Sequence, residues 1–348
     1  MLLDTFSIIK VLSFAAVAFI VTVIWTPFLT NFLYKHKIGK QIRDSGSAPI
    51  FAKLHMKKSG TPTMGGVLIW ITTLGLALLF ACLAAITEVP FFKDINFLTR
   101  SETLLPLGAL IATALVGLAD DYFNVRKMGA NGGGLRVRHK LVIYSVISII
   151  AAWWFVAKLD WTTIHVPFAG NFDIGWWFAP IIIFIIVATS FSVNETDGLD
   201  GLAGGTLLAA FFAFAFIAFM QDKVNLATFC AVISGSLLAF LWFNISPARF
   251  FMGDTGSMAL GTTLGIVAIL TNSVFILPII GLVFMVEALS VIIQLLSKKI
   301  RKKKIFQSSP LHHHLEAIGW PETKIVMRFW VISAVMAVAG VSFYLIDK

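Results

Sequence analysis

The chain alternates long apolar stretches with short polar connections. Ten of the stretches approach the roughly 20 residues that a helix needs to cross a hydrocarbon core. They predict spans at roughly 8–34, 63–86, 103–121, 141–158, 176–193, 203–220, 226–245, 257–272, 274–297 and 325–345. The first is too long for the core of a signal peptide, and no small-residue cleavage site precedes Trp25-Thr26-Pro27. It is expected to remain as an anchor. No internal repeat stands out, and no connection is long enough for a soluble domain. The expectation is one all-α, polytopic transmembrane domain over residues 1–348.

Composition narrows the class further. Of 348 residues, 58% are hydrophobic and 13% are charged, against about 25% charged in a soluble protein. The mean hydropathy is +0.89. Soluble, disordered and fibrous classes are excluded. Lys and Arg number 27 against 18 Asp and Glu, a net charge of +9. In a membrane protein that excess points to positive-inside topology rather than nucleic-acid binding. Cys82 and Cys230 lie in apolar runs without a CxxC pair, so they read as small core residues.

The basic residues also orient the chain. Twenty-one of the 27 fall in connections around 35–58, 126–140, 249, 298–304 and 324–328, whereas Lys10, Lys93, Arg100, Lys158, Lys223 and Lys348 fall on the opposite side. The first side is expected to face the cytoplasm, and ten spans then place both termini outside. The run Lys298 to Lys304 reads as a stop-transfer signal with an attraction to anionic membrane lipid. Gly132-Gly133-Gly134 reads as a turn, since no strand precedes it and no GK[ST] follows.

Chemistry gathers on the basic side. His36, His55, His139, His312, His313 and His314 lie there, and only His165 lies opposite. So do acids at membrane depth: Asp120 and Asp121 at the end of span three, Asp197 and Asp200 after span five, and Asp254 after span seven. A single Asp at a helix end is usually a cap, but five from three connections at one level suggest a site. Adjacent Asp120 and Asp121 would point about 100° apart on a helix, which excludes a shared role. Asn194, Asp197 and Asp200 are spaced i, i+3, i+6 and would share one face of a helix. Carboxylates without thiolates suit a hard cation such as Mg²⁺ or Mn²⁺, the usual companion of phosphoryl transfer. Lys58, a turn, and a helix start at Thr63 would make an anion site. Three consecutive histidines rarely converge on one metal, so His312, His313 and His314 fit phosphate contacts better than zinc. Glu287 would face either a helix interface or a lipid groove.

Five segments carry a family resemblance: KSGTPTMGG (58–66), ADDYF (119–123), NETDGLDGLA (194–203), FMGDTGS (251–257) and PLHHHLE (310–316). In that order they closely resemble the motifs of the phospho-N-acetylmuramoyl-pentapeptide transferases, within the polyprenyl-phosphate N-acetylhexosamine-1-phosphate transferases. The resemblance implies an enzyme of a bacterial inner membrane, with its active site on the cytoplasmic face. It would move phospho-MurNAc-pentapeptide from UDP-MurNAc-pentapeptide to undecaprenyl phosphate, giving lipid I and UMP, with Mg²⁺. It implies Asp254 as the metal ligand, Asp120 as the base on the lipid phosphate, Asp121 as a support, and Asp197 as a further essential acid. Gly198, Leu199, Asp200, Asn244 and Phe251 match a uridine pocket, with Phe251 stacking on uracil. Lys58, Thr63, Lys140, Asn194 and the histidine run would contact phosphates or substrate. Direct attack and passage through an aspartyl-phosphate are both compatible with these residues.

Two positions depart from the family pattern. Asn124 stands where a lysine usually follows the aspartate pair, so Arg126 or Lys127 would have to supply that charge. Glu195 stands where an apolar residue is usual. A UDP-GlcNAc-using relative is the alternative donor class. A CDP-alcohol phosphotransferase lacks support because DGxxAR is absent, and a transporter would place its acids nearer mid-bilayer. Gly261-x-x-x-Gly265 offers a face for helix association and hence for a homodimer.

Overall fold

The computed structural model describes residues 5–39, 55–129 and 133–348. Nine of the ten apolar stretches each form one helix, as the hydropathy predicts, and the tenth forms a helix over most of its length. They are α1 (Thr5–Lys35), α2 (Val67–Ile86), α3 (Leu104–Val125), α4 (Val137–Leu159), α5 (Phe178–Thr196), α6 (Leu202–Met220), α7 (Val224–Asn244), α8 (Asp254–Leu270), α9 (Leu282–Ile300) and α10 (Glu322–Asp347). Eight are long and apolar enough to cross a membrane; α8 is apolar but only 17 residues long, and α9 carries Glu287 with Lys298 and Lys299. The span expected at 274–297 is broken. A short helix, Leu277–Ile280, is separated from α9 by Gly281. A small antiparallel hairpin, β1 (Thr163–Val166) and β2 (Gly170–Asp173), was not foreseen. The basic residues Lys40, Arg43 and Lys53, and Gly132 of the glycine turn, lie outside the described residues.

Two helices form the centre. α7 and α8 are buried along almost their whole length. α8 packs on α3 and α5, and α7 on α1 and α6, with α10 outside α6. Lipid tails are as apolar as leucine, so close backbone packing and interhelical hydrogen bonds replace the hydrophobic drive. Gly261 and Gly265 let α8 lie against Thr189 and Ser190 of α5, and Ser190 Oγ meets Thr262 Oγ1 at 2.8 Å. The GxxxG face is therefore used within the chain, which removes the reason for assigning it to a second copy. Cys230 is core, as expected, but Cys82 is exposed on α2.

The bundle has two polar ends of different character. At one, Lys10 Nζ donates to the carbonyls of Asp94 (2.8 Å) and Asn96 (3.3 Å) and to Asn225 Oδ1 (2.9 Å). Lys223 Nζ donates to the Leu270 carbonyl, the C-terminal residue of α8, at 2.7 Å. The hairpin docks at this end: His165 Nε2 meets Asp347 Oδ2 at 2.5 Å, His165 Nδ1 meets Asn171 Oδ1 at 2.8 Å, and the His165 amide donates to Asn272 Oδ1. The other end gathers the motif residues.

Gly261→Leu would drive a side chain into the α5 backbone, an overpacking that typically costs about 1–3 kcal/mol. A fall in melting temperature of roughly 2–10 °C in detergent is expected. Gly108→Leu, with no neighbour within 4 Å of a Cβ, should leave it unchanged; equal effects would refute the packing assignment. The His165 contact is pH-dependent. Burial alone would lower its pKa, but the hydrogen bonds to Asp347 and Asn171 outweigh this and raise it above the ordinary 6.5. Its stabilisation is complete below that ordinary value and is lost as pH rises through the raised one. An imidazole titration by NMR should therefore show a midpoint above 6.5 that drops in Asp347→Asn.

Candidate active site

Four helix ends and one loop build the site. Asp120 and Asp121 lie in the last turns of α3, both buried. Asp254 opens α8, where a carboxylate is favoured by the unpaired amides of the first turn. Lys140 lies in the first turn of α4. Its ammonium bridges Asp120 Oδ2 at 2.9 Å and Asp254 Oδ2 at 2.7 Å. Asp120 Oδ1 accepts the Leu135 amide, and Asn194 Nδ2 donates to Asp254 Oδ1 at 2.6 Å and to Ser257 Oγ at 2.9 Å.

The adjacent aspartates diverge, as their helical spacing requires. Asp121 braces the 62–66 segment and the start of α8. Its Oδ1 accepts the Thr63 hydroxyl at 3.1 Å, and its Oδ2 accepts the Thr255 amide at 3.1 Å. Gly253, at φ +75°, passes so close that a Cβ would meet both Asp121 and Thr63. The Gly65 and Gly66 amides donate to the carbonyls of Phe251 and Met252, both at 2.8 Å. The loop that carries Phe251 is thereby tied to the 62–66 segment. The expected helix start at Thr63 falls instead at Val67, with Gly66 as the N-cap.

The shared helical face of Asn194, Asp197 and Asp200 does not form. α5 ends at Thr196, Asp197 is its C-cap, and Gly201 at φ +81° reverses the chain into α6. Asn194 therefore joins Asp254, while Asp200 joins a second cluster. There Lys58 Nζ lies 2.7 Å from Asp200 Oδ1 and 2.5 Å from Glu322 Oε1. Asp200 Oδ2 accepts the Ala248 amide at 3.2 Å. Asn244 spans the same turn, accepting the Gly201 amide at 2.9 Å and donating to the Phe250 carbonyl at 2.8 Å. Leu199 packs with Leu202, Val283, Ile325, Val326 and Phe329. Lys58 is thus paired with two carboxylates rather than set at the N-terminus of α2.

The three histidines take three directions from the short helix Leu311–Ala317. His312 is fully buried, with Nδ1 2.9 Å from Glu287 Oε2 and its amide on the same carboxylate. Glu287 therefore faces a helix interface, not a lipid groove. Nε2 of His312 has no hydrogen-bond partner among the described residues and abuts Gly198. His313 Nδ1 meets Glu316 Oε2 at 2.7 Å, and His55 Nε2 meets the same oxygen at 3.1 Å. His314 Nδ1 accepts the Gln307 amide at 3.3 Å. Burial and the neighbouring His312 push the His313 pKa down to about 3, so it is neutral at pH 7. Burial would raise Glu316, but hydrogen bonds from His313 and His55 hold it down at about 2. The donor atoms of His55, His313 and Glu316 lie within 4.8 Å of one another, and these hydrogen bonds already account for their convergence.

Sequence reasoning missed Glu316, Glu322 and His55 as members of the site. WPETK reads as an ordinary helix start, and nothing local marks Glu322 as the partner of Lys58. The cation beside the aspartate pair is Lys140 of α4; Arg126 instead lies over the Tyr122 ring at 5.4 Å.

Because Glu287 holds the His312 ring, a methyl group at Gly198 has nowhere to go. Gly198→Ala should lower thermal stability by roughly 1–3 kcal/mol. The Gly198→Ala/His312→Ala pair should be less destabilising than the sum of its parts, by an interaction of about 0.5–3 kcal/mol. Strict additivity in the thermal-unfolding cycle would rule the contact out.

Comparison with known proteins reaches the same segments. The Glycosyl transferase family 4 pattern matches residues 103–272. Phospho-N-acetylmuramoyl-pentapeptide-transferase signature 1 matches residues 58–69, the loop that carries Lys58 and Thr63. The phospho-N-acetylmuramoyl-pentapeptide-transferase of Chloroflexus aurantiacus is 39% identical over 350 aligned positions, covering 97% of this chain and 90% of the relative. That of Bacillus anthracis is 41% identical over 330 positions, covering 94% of this chain and 95% of the relative. With identity at this level over nearly the whole of both chains, and the signature falling on the loop that braces Asp121, the chain belongs to the phospho-N-acetylmuramoyl-pentapeptide transferase family.

Proposed function

We propose that the protein transfers phospho-MurNAc-pentapeptide from UDP-MurNAc-pentapeptide to undecaprenyl phosphate, releasing UMP and forming lipid I. The observation that carries this reading is the meeting of Asp120 and Asp254, from different helices, at one ammonium. Such a cluster handles anionic groups through exchange of charge partners, which phosphoryl transfer requires. An oxygen of the lipid phosphate bonds to the β-phosphorus of the donor, the diphosphate bond breaks, and UMP departs with the electron pair.

The residues take distinct parts. Asp120 is the base that removes a proton from the lipid phosphate. Lys140 offers its charge to phosphate oxygens and holds Asp120 and Asp254 in register. Asn194 orients Asp254 from the opposite side, while Asp121, engaged by Thr63 and Thr255, keeps the 62–66 loop and α8 together. Lys58, Gly198, Leu199, Asp200, Asn244 and Phe251 form the nucleotide side, and Asp197 lies between the two groups in sequence. The short histidine helix, anchored to α9 by His312 and Glu287, brings His313 and His314 to the substrate side.

Mg²⁺ fits the donor set, because two carboxylates from separate elements already enclose a cation among oxygen ligands. Asp254 would hold it, with Asp120 alongside. When bound, it would neutralise the diphosphate and ease the departure of UMP. The 21-to-6 asymmetry of basic residues supports placing this end at the cytoplasmic face of a bacterial inner membrane, where a nucleotide donor is dissolved.

The test is UMP release by purified protein with undecaprenyl phosphate, with and without Mg²⁺, using UDP-MurNAc-pentapeptide and UDP-GlcNAc in parallel. Release should need Mg²⁺ and the first donor. Asp254→Asn should lower kcat by at least about 100-fold, the usual scale for a lost electrostatic group. Normal turnover of Asp254→Asn would remove the metal assignment, and preference for UDP-GlcNAc would remove the donor assignment.

A further inference from the structure

The nucleotide turn is held from outside by α10. Glu322, in the first turn of that helix, reaches two groups with one oxygen. Its Oε1 accepts Lys58 Nζ at 2.5 Å and the backbone amide of Asp200 at 2.8 Å. Two turns further along α10, Trp330 Nε1 donates to the Gly201 carbonyl at 2.9 Å, and its ring lies against Gly201 and Gly205. Val326 and Phe329, between them, pack with Leu199 and Leu202. One face of a single helix thus supports Leu199, Asp200 and Gly201, and only Glu322 on that face carries charge.

The charge arrangement gives this contact a role beyond packing. A lysine ammonium has three donors. Asp200 and Glu322 take two of them, at 2.7 and 2.5 Å, which fixes the direction of the third. Side-chain exposure falls from 22% for Lys58 and 17% for Glu322 to 3% for Asp200, so the cluster opens to solvent on the lysine side. Lys58 is the most exposed member of the cluster and Asp200 the least, and the third donor of the ammonium is left for a ligand. Without Glu322, Lys58 would keep one anchor, and the Asp200 amide would lose its acceptor.

We propose that Glu322 is a positioning residue for the nucleotide donor, acting through Lys58 and the Asp200 amide and taking no part in the chemistry. This rests on the transferase reading above, because it presumes that the turn and Lys58 face the donor nucleotide. Its specific content is that Glu322 affects donor binding and leaves phosphoryl transfer and the lipid acceptor alone.

The experiment measures KM for donor and acceptor, kcat, and calorimetric binding of UMP, for wild type, Glu322→Ala and Glu322→Gln in detergent. Loss of hydrogen bonds to a charged group should raise the donor KM of Glu322→Ala by at least about tenfold. UMP binding should weaken by a similar factor, with kcat within about threefold and acceptor KM within about twofold. Glu322→Gln keeps a carbonyl acceptor but not the charge, so its donor KM should rise by about threefold. Unchanged donor KM and UMP affinity in Glu322→Ala would overturn the proposal, as would a fall in kcat with unchanged donor KM. Should Glu322→Ala fail to fold, Glu322→Gln decides: an unchanged donor KM overturns it. If wild type neither binds UMP nor releases it, the transferase reading falls and takes this inference with it. If wild type is active and only these shifts are missing, this inference falls alone.

Discussion

One ammonium holds the polar end of this bundle together. Asp120 and Asp254 come from different helices, and two carboxylates brought together in a poorly hydrated place would repel. Removing each from water costs several kcal/mol, repaid only by close opposite charge and hydrogen bonds. Lys140 supplies that charge to both. It can do so only because α4 begins beside the end of α3 and the start of α8. The positions of those three termini are therefore coupled through one side chain, and Asn194 adds the end of α5 to the set.

The close approach of the termini has a steric condition as well. Gly253 brings the start of α8 against Asp121 and Thr63, and Gly117 lets α3 pass the Asp254 backbone. Any side chain at these points would push the carboxylates apart. Lower in the bundle, Gly261 and Gly265 do the same for α5 and α8. The site is thus precise because the helices around α8 touch backbone to backbone, which fixes their separation more tightly than interleaved long side chains would.

What could be read from the sequence follows from how local each signal is. Ten apolar runs were legible because each carries its own signal over about 20 residues. The break at Gly281 was not, since the hydropathy is high on both sides of it. The hairpin escaped because four-residue strands leave too short an alternation. In the site, Asp120, Asp254 and Asn194 were legible as costly polar residues at membrane depth. Other pairings around it were not: Lys58 and Glu322 lie 264 positions apart, and His55 and Glu316 lie 261 apart. The face expected for Asn194, Asp197 and Asp200 failed because the helix ends at Thr196 and Asp197 already leaves helical geometry, a stop that the i, i+3, i+6 spacing does not register.

The two ends of the bundle use their cations differently, and this difference supports placing the proposed chemistry at the motif end. At the hairpin end, Lys10 and Lys223 donate to backbone carbonyls, and Lys348 Nζ does the same at Met220. For Lys10 and Lys223 those carbonyls are part-buried at helix ends, and an ammonium drawn away from them would leave an acceptor unpaired. At the motif end, Lys58 and Lys140 face carboxylates instead. A carboxylate and a phosphate are both anionic oxygen acceptors, so an anion entering beside these carboxylates meets a positive charge already held in place. The hairpin end thus ties its cations to backbone, whereas the motif end ties them to carboxylates, the arrangement on which the proposed function rests. Net positive charge orients such a chain in the membrane; the identity of its partners decides which end can do work.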